Sequence, residues 1–303
     1  MRLRCNNTSM STRQDTITAQ GFWSGPPLTD LHRACLQSFL NQGHQFVLYS
    51  YEPIAVPQGV RLKDANQIVP ADEVFFFENR ETHGDDIAPF ADYFRLKLLY
   101  QVGGWYCDVD TVCLSSQFPT ARRVWARQCP ELDPDIVGNG QLFFEKEDPF
   151  VLRLLDRCER LRKNVPRRES LGPILLSSLV KDLQLPQDMG ATAESFYPIR
   201  WIEVFTLWLP EFREEVEKRI AGATFLPIFQ SFPLYIGLDL RMYPPKGSYL
   251  SSLLDEFFPG LERPRYNAKE VRALTRCWLQ SRGSWGVDWL KALHGPDILS
   301  RLR

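Results

Sequence analysis

A chain of 303 residues that is 44% hydrophobic can bury a full core, and it suits one large α/β domain with a smaller appendage. Its 36 lysines and arginines against 37 aspartates and glutamates leave a formal charge of -1, which gives no global pull toward nucleic acid. Seven cysteines, scattered and without a C-x-x-C pair, stand beside only four histidines, so neither a disulfide framework nor a zinc centre is supported and a reducing, cytoplasmic setting is expected.

Residues 1–16 are polar and aperiodic, and are expected to form a disordered tail without the apolar core of a signal peptide. No run of about eighteen apolar residues occurs anywhere, so no membrane-spanning segment is expected. From Thr16, TITAQGFWSG reads as a strand ending at the turn Gly25-Pro26-Pro27. Leu28 to Asn41 then has helical spacing in Leu31, Cys35, Leu36 and Phe39, and Gln45 to Tyr49 reads as a second strand. This β-α-β order opens an α/β layer, in which loops after strand ends are where ligands bind. Trp23 sits in such a loop and suits either the core or a ligand-facing position. Val60 to Val69 and Asp72 to Phe77 supply short strand or helix pieces. They lead into a polar loop, Glu78 to Asp86, whose His83 has no second histidine or cysteine near it and reads as surface.

The stretch ADYFRLKLLYQVGGWYCDVDTVCL, residues 91–114, asks for a chemical explanation. Asp86 and Pro89 suit the start of a helix, and Gly103-Gly104 suit its end, so Pro89 to Val102 is read as helical. Phe94, Leu98 and Val102 make a buried stripe, while Asp92 and Arg95, three apart, project together as a paired acid and base. Trp105 to Asp110 reads as a strand, with Tyr106, Asp108 and Asp110 on one face. Neighbouring carboxylates repel and are costly to desolvate, so a cation belongs there. Oxygen ligands favour Mg²⁺ or Mn²⁺ with a shell completed by water and phosphate, which suggests transfer from a metal-bound diphosphate.

Downstream, Phe118 to Arg127 suits a short helix, and Asp135 to Val137 and Gln141 to Phe144 two strands around Gly138-Asn139-Gly140. That tripeptide suits a tight turn better than a close approach of backbone to ligand. Pro149 to Lys163 and Gly172 to Leu183 are read as amphipathic helices. Basic charge gathers in residues 157–169 and after Glu262. Such clusters more commonly mark a solvated helix face than peripheral contact with an anionic membrane.

The extended pattern D-x-x-R, seven residues, then G-G-W-Y-x-D-V-D resembles the DxD sugar transferases. These include the α-1,4-galactosyltransferases, the initiating α-1,6-mannosyltransferase and, more distantly, the large glucosylating toxin catalytic domain. W-S-G at Trp23 resembles that family's W-x-G. SFYP (195–198) and residues 223–250 resemble its C-terminal half, although the histidine many relatives place near Phe229-Gln230 is missing.

The resemblance implies a GT-A type nucleotide-diphospho-sugar transferase fold over residues 17–257, a Rossmann-like mixed sheet flanked by helices, with a helical C-terminal extension over 258–303. It implies a metal-dependent, retaining glycosyltransferase moving a hexose from a UDP- or GDP-sugar to a glycan, lipid-linked or protein hydroxyl. Asp110 would bind Mn²⁺ or Mg²⁺ directly, and Asp108 would contact ribose and sugar or reach the metal through water. Arg95 would grip diphosphate or sugar, Asp92 would accept from sugar hydroxyls, Trp23 would stack on the base, and Tyr106 would support the donor. Asn139 and Ser248 are further donor-side candidates, Ser248 as a stand-in for the missing histidine.

Two alternatives stand beside this reading. DVDTV also satisfies the nucleophile motif of haloacid dehalogenase-type phosphatases, with Asp108 attacking and Asp110 as acid or base. The second acidic pair such enzymes carry on a later strand is not found here. The other alternative is a protein that binds sugar nucleotides without turnover.

Overall fold

The computed structural model describes residues 16–79, 84–295 and 297–302. Its opening follows the periodicity. β1 (Thr18–Phe22) passes through α1 (Asp30–Asn41) to β2 (Gln45–Ser50), and β3 (Arg61–Asp64) lies parallel outside β2. α1 begins later than expected because Thr29 caps it: the His32 N–H donates to the Thr29 hydroxyl and the Thr29 N–H donates to the His32 ring. The polar loop expected over 78–86 contains instead a short antiparallel pair, β4 (Phe77–Asn79) and β5 (Gly84–Asp86). His83 and the tail through residue 15 lie outside the described residues.

After these come α2 (Ala88–Gln101), β6 (Gly104–Cys107), β7 (Thr111–Cys113), β8 (Arg123–Val124), β9 (Gln141–Phe144), α3 (Pro149–Leu161) and α4 (Pro173–Asp182). The C-terminal half holds α5 (Ala193–Phe196), α6 (Phe205–Trp208), α7 (Arg213–Ile220), β10 (Phe225–Pro227), α8 (Ser231–Tyr235) and α9 (Tyr249–Phe257). It closes with α10 (Ala268–Ser281), α11 (Gly283–His294) and α12 (Ile298–Arg301). Six strands form the mixed sheet expected, in the order β3-β2-β1-β6-β9-β8. β1, β2, β3 and β6 are parallel and β9 runs against both its neighbours. β7 pairs with β10 in a separate two-stranded ribbon.

Strand alternation sorts the core. Val47, Tyr49 and Tyr106 face one layer with Phe94 and Leu98 of α2 and Leu154 of α3. Phe46, Leu48 and Trp105 face the other with Phe39 of α1 and Phe225 of β10. A third cluster joins Leu31 of α1 to Trp208 of α6, Leu254 of α9 and Trp278, Leu290 and Ile298 of the last three helices. The segment after 258 is thus helical, as expected, and shares a core with α1. No helix among the described residues is long and apolar enough to cross a membrane.

Several local expectations need correcting. Val102 is 44% exposed, because it is the residue on which α2 ends and the chain turns away there into Gly103. No helix forms over 118–127. Pro119 interrupts it, and Arg123 to Trp125 run extended to pair with β9 and to bridge Met189, which buries Trp125 completely. Of Asp135 to Val137 only Val137 makes a bridge, to Arg127. The strand predicted from Trp105 to Asp110 stops at Cys107, so the two aspartates lie in the turn between β6 and β7.

Candidate active site

Helix α2 and strand β6 are joined by Gly103 and Gly104, whose φ values of 72° and 89° reverse the chain. The early turns of α2 therefore lie beside the carboxyl end of β6. Asp86 helps set the helix start by accepting the Ala88 N–H at 2.9 Å, as its position before Pro89 suggested. From this start Asp92 and Arg95 point inward, 9% and 5% exposed, and pair at 3.3 Å.

Arg95 is the hub of the site. One terminal nitrogen lies 2.7 Å from Asp108 Oδ1, and the other donates to the Asn139 carbonyl. The guanidinium lies over the Tyr106 ring, 4.5 Å from its centroid. Asn139 returns the contact, its amide donating to Asp92 Oδ1 at 2.7 Å. Burial works against the Arg95 charge, but Asp108, Tyr106 and Asp92 raise its proton affinity. Asp92, Arg95, Tyr106, Asp108 and Asn139 are thereby brought together as the sequence suggested. Both terminal nitrogens of Arg95 contact protein groups, one Asp92 and the Asn139 carbonyl and the other Asp108. Tyr106, 1% exposed, backs Arg95 from below.

The ladder between β6 and β9 continues one step past Cys107, where the Asp108 N–H donates to Gly140 O at 2.8 Å. No turn forms at Gly138-Asn139-Gly140, contrary to the tight-turn reading, and the atoms that come close to these two glycines belong to protein side chains. A Cβ on Gly138 would lie 2.2 Å from the Tyr197 hydroxyl, and one on Gly140 2.8 Å from Asp108 Oδ2. Gly172, just before α4, would place a Cβ 2.3 Å from Asp92 Oδ2 and 2.5 Å from the Asn139 amide nitrogen. Gly138 and Gly140 thus let Tyr197 and Asp108 press on the backbone, while Gly172 lines a small cleft with Asp92, Arg95 and Asn139, closed on its apolar side by Leu96, Leu142 and Leu176.

Asp110 leaves this cluster and faces the C-terminal half. Its carbonyl accepts the Ile228 N–H and its Oδ2 the Gln230 N–H, each at 2.8 Å. The two aspartates thus do not share a strand face; the turn directs one toward Arg95 and the other toward the loop after β10. Burial, opposed by Arg95 and reinforced by repulsion from Asp110 and Asp92, pushes the Asp108 carboxyl up to about 7, although its side chain keeps 33% exposure. Burial likewise raises Asp92 against the pull of Arg95 and Asn139. Asp92 and Asp108 share the one guanidinium while Asp110 adds repulsion on Asp108, so negative charge is left unbalanced, the condition a divalent cation relieves. No trio of His, Cys, Asp or Glu side chains converges as a closed metal cage among the described residues.

The family described as glycosyltransferase sugar-binding region containing DXD motif matches residues 29–128, which hold Asp92, Arg95, Asp108 and Asp110. Residues 29–128 of the chain thus form a glycosyltransferase region of the DXD type. The solved structure titled PaToxG Glycosyltransferase is similar over 55% of this chain and 69% of that one, at 13% identity and a TM-score of 0.42. No curated protein matches. The family match sets aside the phosphatase alternative.

Other candidate residues of the glycosyltransferase fall in different places. Trp23 follows β1 and is 9% exposed; its Nε1–H donates to Pro26 O and its ring packs 4.6 Å from that of His32, so the core claims most of its surface. Ser248 is fully buried as the N-cap of α9, accepting the Ser251 N–H, and this capping role corrects its assignment to the donor side. Sequence reasoning missed His32, Gln230, Tyr197 and Arg168. His32 Nε2 lies 2.6 Å from Gln230 Oε1, from α1 to the loop that holds Asp110. Arg168 pairs with Asp86 at 2.6 Å and acts electrostatically on Asp92, which ties the basic stretch 157–169 to the site. Within that stretch Arg157 pairs with Asp182 and Arg162 with Glu159. Internal ion pairing therefore absorbs part of the charge.

Proposed function

We propose that this glycosyltransferase moves a hexose from a UDP- or GDP-sugar to a hydroxyl acceptor with a divalent cation, retaining anomeric configuration. The observation that carries the reading is the convergence of Asp92, Arg95, Asp108 and Asn139 at the carboxyl end of β6, with Asp110 one turn further on. Asp110 and Asp108 would hold Mn²⁺ or Mg²⁺, which when bound neutralises charge gathering on the departing diphosphate. Arg95 fixes both Asp92 and Asp108, so that each keeps one orientation as the donor arrives. Asp92 and Asn139 would accept from and donate to sugar hydroxyls, and the exposed edge of Trp23 would line the base. Retention rests on the family resemblance, with the acceptor entering on the face the diphosphate leaves and the diphosphate oxygen taking its proton.

The acceptor is a glycan, lipid-linked sugar or protein hydroxyl. Membrane contact would have to draw on Arg160, Lys163 and Arg167, the exposed basic residues of the 157–169 stretch. The buried free thiols Cys35, Cys107, Cys113, Cys129 and Cys158 suit a reducing, cytoplasmic compartment.

A thermal-shift series with UDP- and GDP-sugars, with and without Mn²⁺, tests the reading, because ligand at 100 times Kd adds about 2.7 kcal/mol of stability. One nucleotide class should raise Tm only with Mn²⁺ present. Asp110→Asn should abolish both that shift and metal-dependent donor hydrolysis while keeping the wild-type circular dichroism spectrum. Wild-type turnover in Asp110→Asn would end the metal role.

A further inference from the structure

Asp110 is held from an unexpected direction. Its Oδ2 accepts the backbone N–H of Gln230, its carbonyl accepts that of Ile228, and among the described residues nothing hydrogen-bonds its Oδ1. Between the two donors sits Phe229, a non-glycine residue at φ 45°. Such a backbone is strained and persists only where its surroundings hold it. Part of what holds it is visible. The Gln230 side chain is tied at 2.6 Å to His32, which is 2% exposed and lies 198 residues away in sequence.

The hydrogen bonds fix the His32 tautomer. Because the Thr29 N–H donates to Nδ1, that nitrogen carries the lone pair, and Nε2–H donates to the Gln230 carbonyl oxygen. Ring packing against Trp23 and the cap of α1 leave the imidazole little freedom. A rigid helix start is thus coupled through one amide to the backbone N–H that orients a carboxylate.

We propose that His32 is a positioning residue for Asp110, acting through Gln230: it locks the loop 228–230 so that Asp110 keeps Oδ2 engaged and presents Oδ1 to the cation. Outer partners of metal-binding carboxylates act in this way, fixing the orientation of a group they do not replace. The proposal rests on the cation reading of Asp110 given above. Neither His32 nor Gln230 contacts the cation in it.

The test measures Mn²⁺ affinity in the presence of UDP, by the paramagnetic resonance signal of free Mn²⁺, for the full chain and five variants. His32→Leu removes the donor, and Gln230→Ala removes the acceptor while keeping the backbone N–H to Asp110. Each should weaken Mn²⁺ binding by roughly 10- to 100-fold. The double variant should be no weaker than either single one, because both cut the same connection. His32→Gln, which returns an amide N–H toward Gln230, should recover most of the affinity. A His32 that merely packs against Trp23 would lower Tm and leave Mn²⁺ affinity where it was.

Wild-type affinity in His32→Leu, or losses that add in the double variant, overturns the proposal. Should His32→Leu fail to fold, Gln230→Ala decides alone, and unchanged affinity there overturns it too. Asp110→Asn separates the two ideas. If it binds Mn²⁺ as tightly as wild type, or if wild type binds none, the cation reading fails and this inference falls with it; if only Asp110→Asn is impaired, the inference alone fails.

Discussion

Arg95 reaches Asp92, Asp108 and the Asn139 carbonyl from one buried position, with Tyr106 beneath its plane. A planar fork with several fixed donors does this; a lysine at the same place is a compact charge on a flexible stem, whose three donors cannot reproduce the fork's fixed spacing. Arg95→Lys should therefore free Asp108 or Asp92 to swing by an ångström or so, enough to lower donor hydrolysis by roughly 100-fold. Steady-state hydrolysis with an unchanged circular dichroism spectrum checks it, and near-normal turnover would reduce Arg95 to a structural part. Asp92, Arg95, Tyr106 and Asp108 were legible because a helical spacing of three and a strand spacing of two are local rules. His32 and Gln230 were not. Each is an ordinary polar residue in its own segment, and the contact between them exists only after α1 and the loop following β10 have been brought together by a core neither belongs to.

At the scale of elements, glycines decide where α2, β6 and α4 can approach. Gly103 holds φ 72°, and a Cβ there would fall 2.4 Å from the Lys146 backbone nitrogen, an atom that cannot rotate away. Gly172 meets side-chain atoms of Asp92 and Asn139 instead. The two should part in their effects when changed to alanine. Gly103→Ala loses stability by at least the about 1–3 kcal/mol of an overpacked core, seen as a lower Tm. Gly172→Ala keeps more of its Tm but displaces Asp92 and Asn139, so its donor affinity, followed by the nucleotide-sugar thermal shift, should fall more than that of Gly103→Ala. The positive φ at Gly103 was readable from a glycine pair closing a periodic helix. The crowding at Gly138, Gly140 and Gly172 was not, since the atoms that demand it come from Tyr197, Asp108 and Asp92. For the same reason D-V-D passed for a strand: its spacing fits period two, and only the pairing of Thr111 with Pro227 of remote β10 shows that the chain has already turned.

Across the whole molecule, the last helices are coupled to the site through charge as well as packing. Leu290, Ile298 and Leu302 are fully buried. At about 1.5–3 kcal/mol each, they contribute on the scale of an ordinary domain's net stability of about 5–15 kcal/mol. Beside them Glu203, also fully buried, lies 2.5 Å from His294 Nε2 and accepts from Arg219 at 2.8 Å and from the Arg200 N–H at 2.7 Å. The Arg200 guanidinium in turn donates to the carbonyl of Tyr197, whose ring covers Gly138 beside Asn139.

Burial pushes the Glu203 carboxyl up, but these hydrogen bonds outweigh it and hold the group at about 2, below its ordinary 4.5. A depressed carboxyl contributes stability that is complete above its unfolded value and is lost as pH falls toward its folded one. The loss belongs between pH 4.5 and 2. Glu203→Gln should cost about 3–5 kcal/mol at neutral pH, because Arg219 and His294 lose a buried partner. Its Tm should then fall less than that of wild type as pH drops through that window, so that the two melting curves converge in acid. Parallel curves at every pH would mean that Glu203 is held by packing alone and that charge plays no part in tying the C-terminal helices to Tyr197.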